Sequence, residues 1–304
     1  MKKIIVLLLF AFSGNAQSTS DVKITDIIEG TLFTPNSVEK PSLVILIAGS
    51  GATNRSGNQV GVHNNSLKYL AEGLVKEGIA VFSFDKRVVA MMKAGINPEK
   101  ELRFSHQIDD VRDVIKHFKN QNLHGKIIVA GHSEGSLIGM VASRDNADAF
   151  ISLAGAGRKI DKIITEQITR QMPSTESELL QAFESLAEGN EVTVENQVLA
   201  SFFRPDLQPF LKSWVDLDPQ QEIRKLNIPV LIINGTKDYQ VPTSEAELLK
   251  AAKPEAKLHL ITNMNHLFKE IKGDDAENLQ SYNNPNLPVM PELIQVMTNF
   301  IKKL

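Results

Sequence analysis

Residues 127–135, Ile-Ile-Val-Ala-Gly-His-Ser-Glu-Gly, constrain this chain more than any other stretch. A β-branched run enters the glycine at 131, and a helix-compatible segment from Ser136 to Arg144 follows the glycine at 135. A strand that turns directly into a helix brings two backbones close together. The positions two before and two after the turn residue must then be almost without side chains. Gly131 and Gly135 fill those positions. Ser133 between them is expected in a strained conformation, with its hydroxyl standing clear of the sheet edge. A helix starting just past it leaves free N–H groups and a positive dipole end where negative charge could develop. A plain glycine-bounded turn carrying a surface serine has the same five-residue signature, so partners elsewhere must decide between the two.

The rest of the chain supplies an alternating frame. Val22–Thr34, interrupted by Gly30, suits a leading antiparallel pair. The run 41–48 is continuously apolar after its proline and serine, which marks a strand buried on both faces, and it ends in Gly49-Ser50-Gly51. Leu67, Leu70, Leu74 and Val75 recur at helical spacing and stop at Gly78. Ile79–Phe84 is the next strand, and Ile108, Val111, Val114, Ile115 and Phe118 share one helix face. After Ser133 come strands at 149–153, 229–234 and 258–262, a capping box at Ser244–Glu247, a polar loop from Asp274 to Pro288, and a terminal helix from Pro291. This rhythm predicts an α/β fold: a mostly parallel central sheet with helices on both faces. Ligands of such sheets bind beyond the C-terminal strand ends, where the glycine-rich loops of this chain fall.

The rhythm breaks between 158 and 226. Ile160, Ile163, Ile164 and Ile168, then Leu179, Leu180, Phe183 and Leu186, then Val198, Leu199, Phe202 and Phe203 all carry helical spacing. Phe210, Leu211 and Trp214, the single tryptophan, follow. About seventy residues is too long for one crossover, so an inserted helical cap is expected over residues 158–226, between core segments 17–157 and 227–304. A separate small helical domain is the alternative. As a cap it would roof a pocket with apolar side chains, and Phe202, Phe203 and Trp214 are its candidate substrate-binding residues.

Composition excludes more than it selects. A net charge of −3 without a Lys/Arg cluster gives no nucleic-acid footprint. The absence of cysteine removes disulfides, thiolate catalysis and thiolate-bound zinc together. No metal-binding or dinucleotide motif occurs, so neither a metal nor another cofactor is expected. At the N-terminus, Met1-Lys2-Lys3, the apolar run Ile4–Phe12 and the small residues to Ala16 have the pattern of a signal peptide over residues 1–16. Export to the periplasm or beyond is therefore expected, with no stable membrane association after cleavage.

A serine hydroxyl needs a base within hydrogen-bond reach, oriented in turn by a carboxylate. The strand at 229–234 runs into Gly-Thr-Lys-Asp, setting Asp238 beyond the sheet, and the strand at 258–262 does the same for His266. His132 is expected to point away from Ser133, and His63, His106, His117, His124 and His259 lack an acid in the matching order. The acidic pairs Asp109-Asp110 and Asp274-Asp275 fit solvated faces or caps, and Glu166 and Glu176 the outer face of the cap. The order Ser133, Asp238, His266 is the one used by α/β-hydrolases. The N–H groups of Ser50 and Glu134 are the candidate oxyanion hole.

With Gly49–Arg55, Phe84–Arg87, Gly131–Gly135, Asn234–Asp238 and Asn265-His266 in hand, the chain resembles the α/β-hydrolase superfamily over about residues 22–304. Within it the chain looks most like capped bacterial carboxylesterases near the serine-aminopeptidase-like and dienelactone-hydrolase-like branches. The resemblance implies Ser133 as nucleophile, His266 as acid–base, Asp238 as its orienter, the Ser50 and Glu134 N–H groups as the hole, and a small-molecule ester as substrate. A peptidase or thioesterase with the same triad, or a binding protein on the same fold, are the rivals. The chain departs from its relatives at Ala48-Gly49, where they carry His-Gly, and at Val88–Ala90, where a glycine is common.

Overall fold

The computed structural model describes residues 17–36, 38–97 and 99–304. Residues 1–16, expected from the sequence to form a signal peptide, lie outside the described residues. The strands are β1 (Gln17–Lys23), β2 (Glu29–Pro35), β3 (Leu43–Ile47), β4 (Ala80–Phe84), β5 (Ile127–His132), β6 (Ala149–Leu153), β7 (Val230–Gly235) and β8 (Lys257–Ile261). They form one sheet in the order β1-β2-β4-β3-β5-β6-β7-β8. The leading hairpin β1–β2 is antiparallel and joins β4 antiparallel, while β3 to β8 pair in parallel.

The helices are α1 (Ser66–Lys76), α2 (Arg87–Lys93), α3 (Phe104–Gln121), α4 (Glu134–Ser143), α5 (Ile160–Thr169), α6 (Glu176–Ala187), α7 (Gln197–Phe202), α8 (Gln208–Val215), α9 (Pro219–Arg224), α10 (Thr243–Ala252), α11 (Asp275–Ser281) and α12 (Pro291–Ile301). Residue alternation in β3 explains why its sequence is apolar throughout. Val44 and Leu46 join Leu67 and Leu70 of α1 and Leu293 and Met297 of α12 on one face. Leu43, Ile45 and Ile47 join Ile108 and Phe118 of α3, Ile138 and Met140 of α4 and Leu249 of α10 on the other. A strand covered on both sides has no position at which a polar residue could reach water.

Helices α5–α9 all lie between β6 and β7, and their apolar faces continue the α3–α4 cluster instead of closing a core of their own. The join is aromatic: the Trp214 ring stacks on Phe104 of α3 at 4.9 Å, and Phe210 approaches the same ring at 6.0 Å. Burying these rings contributes roughly 2–3 kcal/mol each, an upper estimate from area removed from water.

Four local expectations change. The segment after β4 is the short helix α2, which runs through Val88–Ala90. The Ser244–Glu247 capping box does not form: α10 starts at Thr243 without a side-chain cap. The Glu245 carboxylate is instead buried and accepts from the Gly157 and Arg158 N–H groups at 2.9 and 3.0 Å. The polar loop 274–288 contains α11, capped by Asp274, whose carboxylate accepts from the Ala276 and Glu277 N–H groups. Asp110 is not solvated but buried, and Arg87 grips it through two hydrogen bonds of 2.7 and 2.6 Å.

Candidate active site

Between β5 and α4 the chain has no room for side chains other than the one it presents. A Cβ on Gly131 would stand 2.0 Å from the Gly135 carbonyl oxygen, and one on Gly135 would stand 2.7 Å from the carbonyls of Ile47 and Ala48. Ser133 itself sits at φ 54°, ψ −120°, a region that costs a non-glycine residue on the order of 1–3 kcal/mol. Two backbone bonds hold it there: its N–H donates to Leu153 O at 2.9 Å, and its carbonyl accepts from Ser136 N–H at 2.9 Å. The result is a half-buried serine on the wall of a cavity of about 750 Å³.

Asp238 follows β7 and His266 follows β8, and both side chains are buried. His266 Nδ1 lies 2.8 Å from Asp238 Oδ2. The other carboxylate oxygen is already engaged, accepting from Gln240 N–H and Val241 N–H at 2.9 Å each. An ionised carboxylate can only accept, so Nδ1 carries the proton and Nε2 is left with its lone pair. The Ser133 hydroxyl has no hydrogen-bond partner among the described residues, so the Asp238–His266 contact is the part of the expected triad joined by a hydrogen bond. Catalytic hydrogen bonds often tighten only once substrate is bound.

The two loops are fixed to each other by α11. Asn265 Nδ2 donates to Asn278 Oδ1 at 2.9 Å and to Ser281 Oγ at 2.7 Å, while Asn278 Nδ2 donates to Lys237 O at 2.7 Å. One polar helix face thus holds the residues next to both His266 and Asp238.

His132 does turn away from the cavity, and it packs behind the base. Its Nε2 lies 2.9 Å from the His266 carbonyl oxygen, and the two rings are 4.7 Å apart. Complete burial, reinforced by the neighbouring His266, holds its basicity well below the usual histidine value of 6.5. The folded protein therefore keeps His132 neutral at a pH where the unfolded chain takes up a proton. Stability is intact above about pH 6.5 and is lost as pH falls below it, by at most about 1.4 kcal/mol per pH unit. Urea unfolding of wild type and His132→Gln between about pH 5 and pH 7 checks this. The wild type should lose stability more steeply on the acid side, and equal slopes would refute the assignment.

Ser50 and Glu134 both line the cavity beside Ser133, one beyond β3 and one at the first turn of α4. Neither backbone N–H has a partner among the described residues. Gly49 approaches so closely that a Cβ there would lie 3.3 Å from Ser133 Cβ. This contact gives a reason for glycine at 49 whatever precedes it. The Ser50 carbonyl is braced from behind by Thr53 Oγ1 at 2.8 Å and Gln59 Nε2 at 2.9 Å.

Much of the cavity lining is apolar: Ile160, Ile163 and Ile164 of α5, Phe202, Phe210 and Trp214, with Val88 and Met92 of α2. Of the three candidate substrate residues, Phe202 and Trp214 line it. Phe203 does not; it is buried inside the cap, edge-on to Phe183 at 5.2 Å. Helical spacing alone could not separate the two adjacent phenylalanines. Every charged side chain on the wall has an opposite partner: Lys86 with Glu134, Arg158 with Glu245 and Glu166, and Arg204 with Glu99. Glu166 itself does not line the cavity: its side chain is 40% exposed and pairs with Arg170 as well as Arg158. Among the described residues no cluster of His, Asp or Glu could hold a metal ion.

The sheet order, the strained serine after β5 and the acid and histidine after β7 and β8 define an α/β-hydrolase fold. Similarity to solved structures agrees. Est1E from Butyrivibrio proteoclasticus superposes with a TM-score of 0.54 at 17% identity, over 93% of this chain and 99% of that one. The Pyrococcus furiosus esterase Pf2001 gives 0.57 at 16% identity, over 95% and 91%. In sequence, the BD-FAE family model matches residues 31–252, and the chain belongs to that family. Esterase EstD of Thermotoga maritima is 28% identical over 257 residues, which is 79% of this chain. The chain spans 58% of the length of that curated relative.

Proposed function

We propose that this chain is an exported serine hydrolase that cleaves small or medium carboxylic esters through an acyl-enzyme on Ser133. The observation that carries the reading is a strained, cavity-facing Ser133 on the same sheet edge as a buried Asp238–His266 hydrogen bond of 2.8 Å. His266 Nε2 takes the hydroxyl proton as Ser133 Oγ bonds to the ester carbonyl carbon. The carbonyl oxygen becomes an oxyanion and accepts from the Ser50 and Glu134 N–H groups. The tetrahedral adduct collapses, the C–O bond to the alcohol breaks, and His266 returns the proton to the leaving oxygen. Water, deprotonated by His266, then attacks the acyl carbon, the bond to Ser133 Oγ breaks, and His266 returns the proton to Oγ as the acid leaves. Relatives named as esterases support the ester class, and the composition of residues 1–16 supports export.

The apolar wall and the paired charges favour an uncharged acyl chain over a peptide terminus, which would need an unpaired charge to grip it. A series of p-nitrophenyl esters from acetate to dodecanoate, with matched anilides, tests this. Each added methylene buried against the wall should raise kcat/KM about fourfold until the cavity is filled. A flat series, or anilides turning over faster than esters, would reject the assignment.

A further inference from the structure

Lys86 and Glu134 form an ion pair of 2.5 Å whose side chains are 5% and 3% exposed. Removing two charges from water is costly and rarely improves on an apolar pair, so the arrangement calls for a reason other than stability. Its position supplies one. Gly49 follows β3, Lys86 follows β4 and Glu134 follows β5, so the pair ties three adjacent strand ends together. Lys86 Nζ also donates to the Gly49 carbonyl at 3.0 Å, and Gln107 Nε2 donates to Glu134 Oε1 at 3.3 Å.

A trans peptide is planar, with its C=O and N–H pointing in opposite directions. No cis peptide occurs among the described residues. The ammonium that holds Gly49 O therefore fixes the direction of the Ser50 N–H on the far side of the same peptide. The Ser133–Glu134 peptide is fixed in the same manner, through Ser136 N–H on Ser133 O. Its next residue, Glu134, has its side chain gripped by the same Lys86. One buried ammonium is thus bonded to the peptide of one candidate oxyanion donor and to the side chain of the other.

We propose that Lys86 is a positioning residue that sets the Ser50 and Glu134 N–H groups in register for the oxyanion, acting through the Gly49 carbonyl and the Glu134 carboxylate. The inference rests on the serine-hydrolase reading, and it gives the Asp-Lys-Arg run after β4 a chemical role. The flanking charges are used elsewhere, Asp85 by Arg55 and Lys93, and Arg87 by Asp110.

The test compares wild type, Lys86→Arg, Lys86→Met and the double variant Lys86→Met with Glu134→Gln. The double variant is included because Lys86→Met alone leaves Glu134 as a buried unpaired charge and could fail to fold. Turnover of a p-nitrophenyl ester is measured beside inhibition by a trifluoromethyl ketone, which forms a charged tetrahedral adduct with an active serine. In the folded double variant kcat should fall on the order of 10- to 100-fold with little change in KM, somewhat less than removal of a whole donor. Affinity for the ketone should fall by the same factor, because it reads the oxyanion and not the ground state. Lys86→Arg, which keeps a charged donor, should recover part of both losses. A brace with no catalytic bearing would lower stability without linking the two losses. Ser133-dependent turnover that stays within about twofold of wild type in the double variant overturns the role of Lys86 alone. So does a loss of kcat without a matching loss of ketone affinity. Ester turnover that survives Ser133→Ala overturns the hydrolase reading, and the role of Lys86 with it.

Discussion

Ser133→Ala should lower ester turnover by roughly 10⁶-fold while the protein stays folded. The two halves of that expectation have separate causes. Chemistry fails because no other hydroxyl is held at the strained turn after β5, and cavity and oxyanion donors alone leave only a small residual rate. Folding survives because the hydroxyl makes no hydrogen bond among the described residues, so its removal orphans no partner. Alanine at φ 54° carries about the same backbone strain as serine, and the stability change should stay within about 0.5–1 kcal/mol. Steady-state rates, thermal melting and labelling by a fluorophosphonate together decide the matter. A folded alanine variant that still turns over at even a hundredth of the wild-type rate would remove Ser133 from the mechanism.

The parts of this architecture that were legible in the sequence are those written in apolar periodicity and in steric necessity. β3 is uniformly apolar because both of its faces are covered, and Gly131 and Gly135 are glycine because a Cβ at either would collide with backbone. Asp238 and His266 could be located because each follows a strand that reads clearly, and the parallel order brings those ends to one edge. What escaped was polar. The face of α11 that matters buries Asn278 and Ser281, so no hydrophobic repeat announces it. The segment instead reads as loop, although it ties together the residues beside His266 and Asp238. Glu245 lies inside the Ser244–Glu247 stretch that reads as a capping box, yet its carboxylate is drawn across to Arg158 by an ion pair between segments some ninety residues apart.

The same distinction applies to the charges around the cavity. In sequence Asp85, Lys86 and Arg87 are three consecutive charges, and nothing local separates them. In the fold their side chains diverge to Arg55, Glu134 and Asp110. Charge partners are set by long-range topology, so their pairing emerges only once β3, β4 and β5 lie side by side. Residues 158–226 repeat the point: their apolar positions mark the helical stretches α5, α6, α7 and α8, but which phenylalanine faces the cavity depends on how they pack against α3.

Asp238→Asn should lower kcat by about 10⁴-fold with KM and stability little changed, the second-largest effect expected of a single substitution. Asp238 Oδ1 accepts from two backbone N–H groups, Gln240 and Val241, at 2.9 Å each. An asparagine must keep its amide oxygen on those two donors, because its NH₂ group cannot accept. The NH₂ then faces His266 Nδ1, which in wild type donates to Asp238 Oδ2. Two donors cannot share that contact, so the imidazole moves its proton to Nε2 and offers a lone pair to the amide. With Nε2 protonated, no lone pair faces Ser133 and proton abstraction fails, although every heavy atom stays in place. Asp238→Ala separates the two roles of the residue, since it also strips both loop bonds and should cost on the order of 1–3 kcal/mol in stability as well as rate. The decisive comparison is kcat and melting temperature for both variants against wild type. An asparagine variant retaining more than about a tenth of wild-type kcat would mean that Asp238 does not set the tautomer of His266. A slow asparagine variant as destabilised as the alanine one would mean that the loop, and not the proton, is what Asp238 controls.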